Sequence, residues 1–426
     1  MANWLNDFVN QHKNLESPES FWKWAALAAI SAVIKDNVWM DRQIFNTYPN
    51  IYVMFHADSG LKKGPPVAAA KQMVAKVNNT RIIGGRSSIQ GILKKLGTGE
   101  TKKGGQIINK SVAFICSSEL SSSIVEDRVA TKILTDLYDR SYNPGEWQSL
   151  LKMEEFTLID PTVTMLTATN EAMSEDFFTR SAIQGGYFAR TFIVYEKSGI
   201  IDNSLIFPMQ NKPDYNLSSS YLKELAKLKG EFHPLAQWEK NDEYKYKREK
   251  FGHDVYFNAT GVLYDDWYGQ FKKNIRETDS KDETGTMNRF GDSVLKVAML
   301  LALADAPMLV INEESMDSAI KECEKLLGNV RKTTMGRNGI ASTSQLKIMI
   351  INELLWREPH EMSRSLMMRF LINHYNSIPE FDDSIDSFIQ SGLLVQIMNG
   401  NQIIYKMPDN QVTQLTRYMQ GKGRIQ

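Results

Sequence analysis

Cysteine is nearly absent: the 426-residue chain has two, Cys116 and Cys323, beside six histidines. Both thiols lie in apolar patterns without zinc-type spacing, so they read as buried free thiols of a reducing cytosol. The histidines are scattered, and none pairs with a second at metal-ligand spacing, which argues against a metal site built on His or Cys. Net charge is lacking too, since 50 basic residues balance 50 acidic ones. Bulk electrostatics therefore gives no pull towards nucleic acid or membrane, and any such pull must come from local patches. Long apolar runs are also missing. The longest, Trp24 to Ile34 (WAALAAISAVI), is too short to span a bilayer and is flanked by Lys23 and Lys35. The opening MANWLNDFV has no basic start of the signal-peptide kind. The expectation is a cytoplasmic protein of a cell, or of something replicating inside one, with no membrane partner.

What is present is a globular composition, 42% hydrophobic and 23% charged, with room for two or three domains. Residues 1–45 read as an N-terminal helical region. There Ser17-Pro18-Glu19-Ser20 places a capping serine before a proline at the first helical position. The following run, FWKWAALAAISAVI, is apolar almost all round and is expected to pack inside the fold. From residue 46 to 200 short apolar runs stand at 50–55, 81–83, 112–116, 162–168 and 191–195. Helical stretches at 65–77, 87–97, 126–140 and 171–184 separate them. Apolar runs alternating with helices predict an α/β core whose parallel sheet is covered on both faces. Residues 201–335 read as an insertion and a helical lid, with helices at 289–306 and 313–330 around a strand-like MLVI (308–311). A linker at 331–342 leads to a small domain, 342–410. Its three helices near 343–356, 362–376 and 382–391 precede two strands flanking Asn399-Gly400-Asn401, a winged-helix-like pattern.

The stretch that raises a chemical question is HADSGLKKGPP, His56 to Pro66, directly after the first apolar run. A small-residue loop between strand and helix, carrying lysines, suits a phosphate, yet the pattern G-x-x-x-x-G-K-[ST] is incomplete. With Lys63 as the phosphate lysine, Ala57 and Lys62 stand where two glycines belong, and Gly64 stands where a hydroxyl would ligate Mg²⁺. Ser59, Gly60, Lys62, Lys63 and Gly64 are the candidate nucleotide-binding residues. An ordinary strand-to-helix turn with surface lysines is the other reading of this stretch taken alone.

Order along the chain favours the first. A nucleotide-hydrolysing core of the AAA+ kind needs four groups in sequence. These are a lysine after the first strand, an acid after the third, a polar residue after the fourth and an arginine before the fifth that reaches the neighbouring subunit's γ-phosphate. Lys63, Glu119 (after VAFICSS), Asn170 (after TVTMLTAT) and Arg190 (before TFIVY) meet that order.

The segments CSSELSSSI, TKILTDLYDRSYNPGEW, TATNEAMSEDFF and GGYFARTFIVYE, with the opening SPESFWKWAALAAISAVI, resemble a family of phage and mobile-element P-loop, AAA+-like ATPases. Its members are described as DNA helicases or primase-helicases. The resemblance covers roughly residues 1–330, loosely over 200–285. It implies Lys63 as the Walker A lysine, Glu119 as the Walker B glutamate, Asn170 as sensor 1 and Arg190 as the arginine finger, with Arg180 and Arg140 as alternatives. Arg289 would be the sensor-2 arginine or a plain helix-end residue. ATP and Mg²⁺ would be the cofactors, the metal resting on Ser118, Glu119 and water because Gly64 has no hydroxyl.

Seven basic residues against one acid occupy 81–110, and the glycine-rich tip LGTGETKKGGQ carries Lys102 and Lys103 close to Lys94 and Lys95. These four are the candidate DNA contacts, suited to single-stranded DNA in the central channel of a homo-oligomer, a hexamer by expectation. The last 85 residues, 342–426, balance eight basic against eight acidic residues, so docking another replication protein is as natural there as DNA. The expected function is a ring-forming ATP-dependent DNA helicase or translocase in phage or mobile-element replication. The alternative is an ATP-binding helicase loader or initiator adaptor with slow hydrolysis.

Overall fold

The computed structural model describes residues 3–13, 15–77, 80–85, 87–97, 100–101, 107–108, 110–118, 128–139, 145–151, 154–169, 186–196, 213–277, 285–335, 343–355, 357–371, 378–400 and 402–413. The chain divides into two compact units, Met1–Asn329 and Val330–Gln426.

In the first unit the five apolar runs form five strands. They are β1 (Tyr52–Ala57), β2 (Arg81–Gly84), β3 (Val112–Ser117), β4 (Thr162–Thr169) and β5 (Thr191–Glu196). All pair in parallel, in the order β5-β1-β4-β3-β2. Every residue of β1 and β4 is buried, as expected of central strands covered on both faces.

Helices α1 (Trp4–His12), α2 (Glu19–Ile34), α3 (Gly64–Val77), α4 (Ile89–Gly97) and α5 (Arg128–Tyr138) belong to this unit. The apolar-all-round segment is α2, and it lies on one sheet face. Phe21 stacks on Phe55 at 4.5 Å, Trp24 meets Phe192 at 5.0 Å, and the Ser31 and Thr164 hydroxyls are 2.7 Å apart. On that face Val53, Phe55 and Ala57 share one core with α2 and α3. Strand alternation turns Tyr52 to the other face, where its hydroxyl donates to the Leu134 carbonyl of α5 and its ring meets Tyr138. The helix after β1 and the helix after β3 therefore cover opposite faces.

Three expectations need correction. Ser17 does not cap α2. Pro18 is the N-cap residue, without a side-chain bond, and the Ser17 hydroxyl donates to the Lys62 carbonyl at 2.7 Å. MLVI forms no strand: Met308 and Val310 are exposed, and its hydrogen bonds, His233 N to Leu309 O, Thr260 Oγ1 to Ile311 O and the local Met308 N to Ala306 O, make no ladder. Residues 331–335, expected in a linker, continue a helix that starts at Glu313. The expected helix at 171–184 lies outside the described residues.

After α6 (Tyr215–Leu225) comes a small antiparallel sheet of 236–237, 246–250 and 253–257. Then follow α7 (Ala259–Glu277), α8 (Thr286–Asp305) and α9 (Glu313–Met335). The segment read as a lid is built into the core, because α8 is almost wholly apolar from Val294 to Ala304 and buries that run beside α2.

The second unit has helices Thr343–Leu355, Arg364–Leu371 and Ile378–Gln390, and strands Val395–Asn399 and Gln402–Lys406. The strands form an antiparallel hairpin, with Gly400 at φ +59° in its turn. A third strand, Glu361–Ser363, pairs with Gln402–Lys406. At three residues it was too short to leave a period-2 pattern.

Candidate functional site

The loop Asp58–Lys63 leaves the carboxyl end of β1 and enters α3 at Gly64. Its turn is set by two residues in left-handed backbone, Gly60 at φ +96° and Lys62 at φ +39°. Glycine adopts that region freely; lysine does not, so Lys62 is held there by its surroundings. Ser17 fixes its carbonyl, and its ammonium lies 3.5 Å from Glu16. Lys63 is half-buried and turned inward, its Nζ donating to the Ala57 and Asp58 carbonyls at 2.8 Å each. The lysine head is thus held over the end of β1.

Gly64 opens α3 with no heavy atom within 4 Å of the position a Cβ would take. It contributes no side-chain oxygen for Mg²⁺. Pro65 and Pro66 have no N–H, so this helix end offers fewer donors to an anion than an end of ordinary residues. Ser118 follows β3 and is exposed. Glu119, two residues past the end of β3, and Asn170, next after the end of β4, lie outside the described residues. Among the described residues no group of three or more His, Cys, Asp or Glu is placed to hold a metal. Ser118 is the described member of the expected metal-holding pair, so a bound Mg²⁺ would keep a water-rich shell.

Topology sets the place of the loop. The helices after β1 and β3 leave to opposite faces, and β4 inserts between those strands. The carboxyl ends of β1 and β4 therefore flank the point where the connections diverge, which is where open α/β sheets bind ligands.

His56 lies directly beneath this loop, 4% exposed, paired in register with Thr169 on β4 and Tyr195 on β5. Its ring is 5.2 Å from that of Tyr195. Burial, with the Lys63 charge second and partly opposed by Asp58, lowers its pKa to about 4. An unfolded histidine takes its proton near pH 6.5, so stability from this site is present above pH 6.5 and is lost as pH falls towards 4. The expected loss is on the order of 3 kcal/mol. His56→Phe is expected to remove that part of the acid destabilisation, read from urea midpoints at pH 7 and pH 4.5.

Arg190 and Arg289 are brought together, but at the opposite edge. Arg190 immediately precedes β5, so in a parallel sheet it lies at the amino edge, about 20 Å from the loop at ~3.3 Å per strand residue. Its guanidinium is buried. Nε donates to Asp139 Oδ1 at 3.1 Å, Nη2 to Asp139 Oδ2, and Nη1 to the Gly186 carbonyl at 2.7 Å. Gly186 has φ +76°, a left-handed backbone that favours glycine, and Arg190 Nη1 lies 2.7 Å from where a Cβ would stand. Arg289 on α8 reaches the same carboxylate, 3.3 Å from Asp139 Oδ1. Within one chain neither arginine meets Lys63. Arg140 and Arg180 lie outside the described residues.

Sequence reasoning missed Asp139 and Lys296. Asp139 ends the segment TKILTDLYD, where a single acid after a helix looks like any solvated end. Lys296 sits alone in the apolar run SVLKVAMLLALA, and that isolation was the available signal. It is buried, donating to Asn50 Oδ1 at 2.8 Å and the Asn50 carbonyl at 3.1 Å, with Nζ 3.9 Å from the Tyr138 ring centre.

The basic stretch 81–110 separates on inspection. Lys94 and Lys95 are exposed on the last turn of α4. Arg81 is buried with Nη1 on the Leu96 carbonyl, and Lys110 pairs with Asp36 at 2.7 Å. Lys102 and Lys103 lie outside the described residues.

No family model matches the chain, and no curated protein matches it either. No helix among the described residues is long and apolar enough to cross a membrane.

Proposed function

We propose that the chain is an AAA+-like P-loop ATPase that binds ATP at the Lys63 loop. It would assemble as a ring, a hexamer by preference, that translocates on or unwinds DNA during phage or mobile-element replication. The supporting observation is the strand order β5-β1-β4-β3-β2, which sets the lysine loop at the divergence point of an all-parallel sheet. In this reading Lys63 carries the β/γ-phosphate contact, with Ser59, Gly60, Lys62 and Gly64 lining the loop. Glu119 polarises the attacking water and Asn170 positions it. Mg²⁺, bound through the nucleotide's phosphates, Ser118, Glu119 and water, would neutralise charge on the phosphates. Lys94, Lys95, Lys102 and Lys103 would contact single-stranded DNA.

Arg190 acts in trans in this scheme and must leave Asp139 to do so. ATPase activity per chain is expected to rise with protein concentration and to fall at least about 100-fold in Arg190→Ala, whose fold is checked by circular dichroism. Activity independent of concentration would contradict the ring.

One set of observations favours a second reading, an ATP-binding loader or initiator adaptor with slow turnover. Gly64 offers no metal ligand, and Arg190 is committed to Asp139 of its own chain. In the winged-helix-like second unit, Arg364 is engaged by Asp382 at 2.7 and 2.8 Å, leaving Arg369 exposed, while Arg417, Lys422 and Arg424 lie outside the described residues. Val395, Ile397 and Met398 are 46%, 40% and 62% exposed, a surface better suited to protein than to phosphate. Strand displacement on a forked duplex separates the readings: a helicase shows it alone, an adaptor only with its partner.

A further inference from the structure

A cleft lies at the amino edge of the sheet, against α8. It is lined by Tyr138, Asp139, Arg190, Arg289, Asp292 and Lys296, with the Thr47 and Ser293 side chains beside them. Its charges do not balance. Lys296 and Arg190 are both buried, Arg289 is about one-third exposed, and the acids of the lining are two, Asp139 and Asp292. Asp139 already serves both arginines, and Asp292 is paired with Arg42 at 3.2 Å. Among the described residues of the lining, three cations (Arg190, Arg289, Lys296) thus face two carboxylates, one of which, Asp292, is already paired with Arg42 from outside the cleft. Burying that excess is expensive unless an anion completes it. Lys296 registers the strain: burial first, with Arg190 and Arg289 adding to it against the opposing pull of Asp139 and Asp292, lowers its pKa to about 7.

We propose that this cleft is a binding site for a small oxyanion of the phosphate type, distinct from the Lys63 loop and on the opposite edge of the same sheet. Arg289 is the natural first contact, because it is a planar donor with exposed N–H groups and only one bond to Asp139. Lys296 lines the cleft too, and it contributes its charge: its ammonium donates twice to Asn50 and lies over the Tyr138 ring. An anion in the cleft would favour the charged lysine and offset the excess that the fold alone leaves unmatched.

The test is titration calorimetry of the full chain with inorganic phosphate at pH 7, without nucleotide, and with sulfate as a second probe. The wild type is expected to bind one anion in this cleft with affinity on the order of millimolar or tighter. Arg289→Gln is expected to weaken that site about tenfold, and Lys63→Ala to leave it unchanged. Lys296→Met should weaken it as well. If that variant fails to fold, Arg289→Gln carries the test, since a partly exposed side chain is replaced. Absence of binding at tens of millimolar phosphate would overturn the proposal. So would binding that disappears in Lys63→Ala but survives in Arg289→Gln, which would assign the anion to the loop.

Discussion

ATP affinity is expected to fall about 100-fold in Lys63→Ala, while the fold survives. The ammonium is held by two carbonyls at the end of β1, so its direction is set before any ligand arrives. A fixed, half-buried positive donor interacts with phosphate far more strongly than one in open water, and little side-chain freedom remains to be lost on binding. Removing it deletes two bonds to main-chain oxygens near solvent, which costs the fold about 1 kcal/mol. Lys62 gives the contrast. It is exposed and tied to Glu16, and its left-handed backbone suits glycine better than lysine. Lys62→Gly is therefore expected to leave affinity within about threefold. Equal losses in both variants would mean that general positive charge, rather than the geometry of the Lys63 head, attracts the nucleotide.

Asp139→Asn is expected to destabilise the first unit by about 3–5 kcal/mol, the largest stability effect of any single polar substitution considered. One carboxylate neutralises the buried Arg190 through both of its oxygens and also receives Arg289. An amide keeps the shape but leaves a buried guanidinium without its counter-charge, and it withdraws a charge that favours the ammonium of Lys296. Arg289→Gln, at the more exposed end of the network, should cost about 1 kcal/mol. Urea denaturation of the three proteins, followed by tryptophan fluorescence, measures the difference. A loss below about 1 kcal/mol for Asp139→Asn would show that the ion pair is a marginal surface contact and would weaken the charge count behind the amino-edge cleft.

The central sheet was legible because its strands are apolar runs with little polar interruption, bounded by loops and helices. The observed ends differ from the expected ones by at most two residues, as in Tyr52–Ala57 against 50–55. The placement of α2 was legible only as burial, since an all-apolar helix does not say which surface covers it. The small antiparallel sheet at 236–257 was hidden because its strands are polar and charged, as in YKREK (246–250), with an outer surface facing solvent. At the candidate site, Lys63 could be read from a local pattern. The Arg190–Asp139–Arg289 cluster could not, because its members are 51 and 150 residues apart and meet only through sheet topology. The same topology separates Arg190 from Lys63, which linear order along the chain had placed in one scheme.

The most direct measurement is a structure of the full chain with Mg²⁺ and a non-hydrolysable ATP analogue. The triphosphate is expected at the carboxyl end of β1, with Lys63 Nζ within hydrogen-bond distance of a β- or γ-phosphate oxygen. Ser118 is expected to face the metal across the β4 end. A nucleotide bound elsewhere, or a Lys63 head still closed on the Ala57 and Asp58 carbonyls with no phosphate beside it, would contradict that expectation.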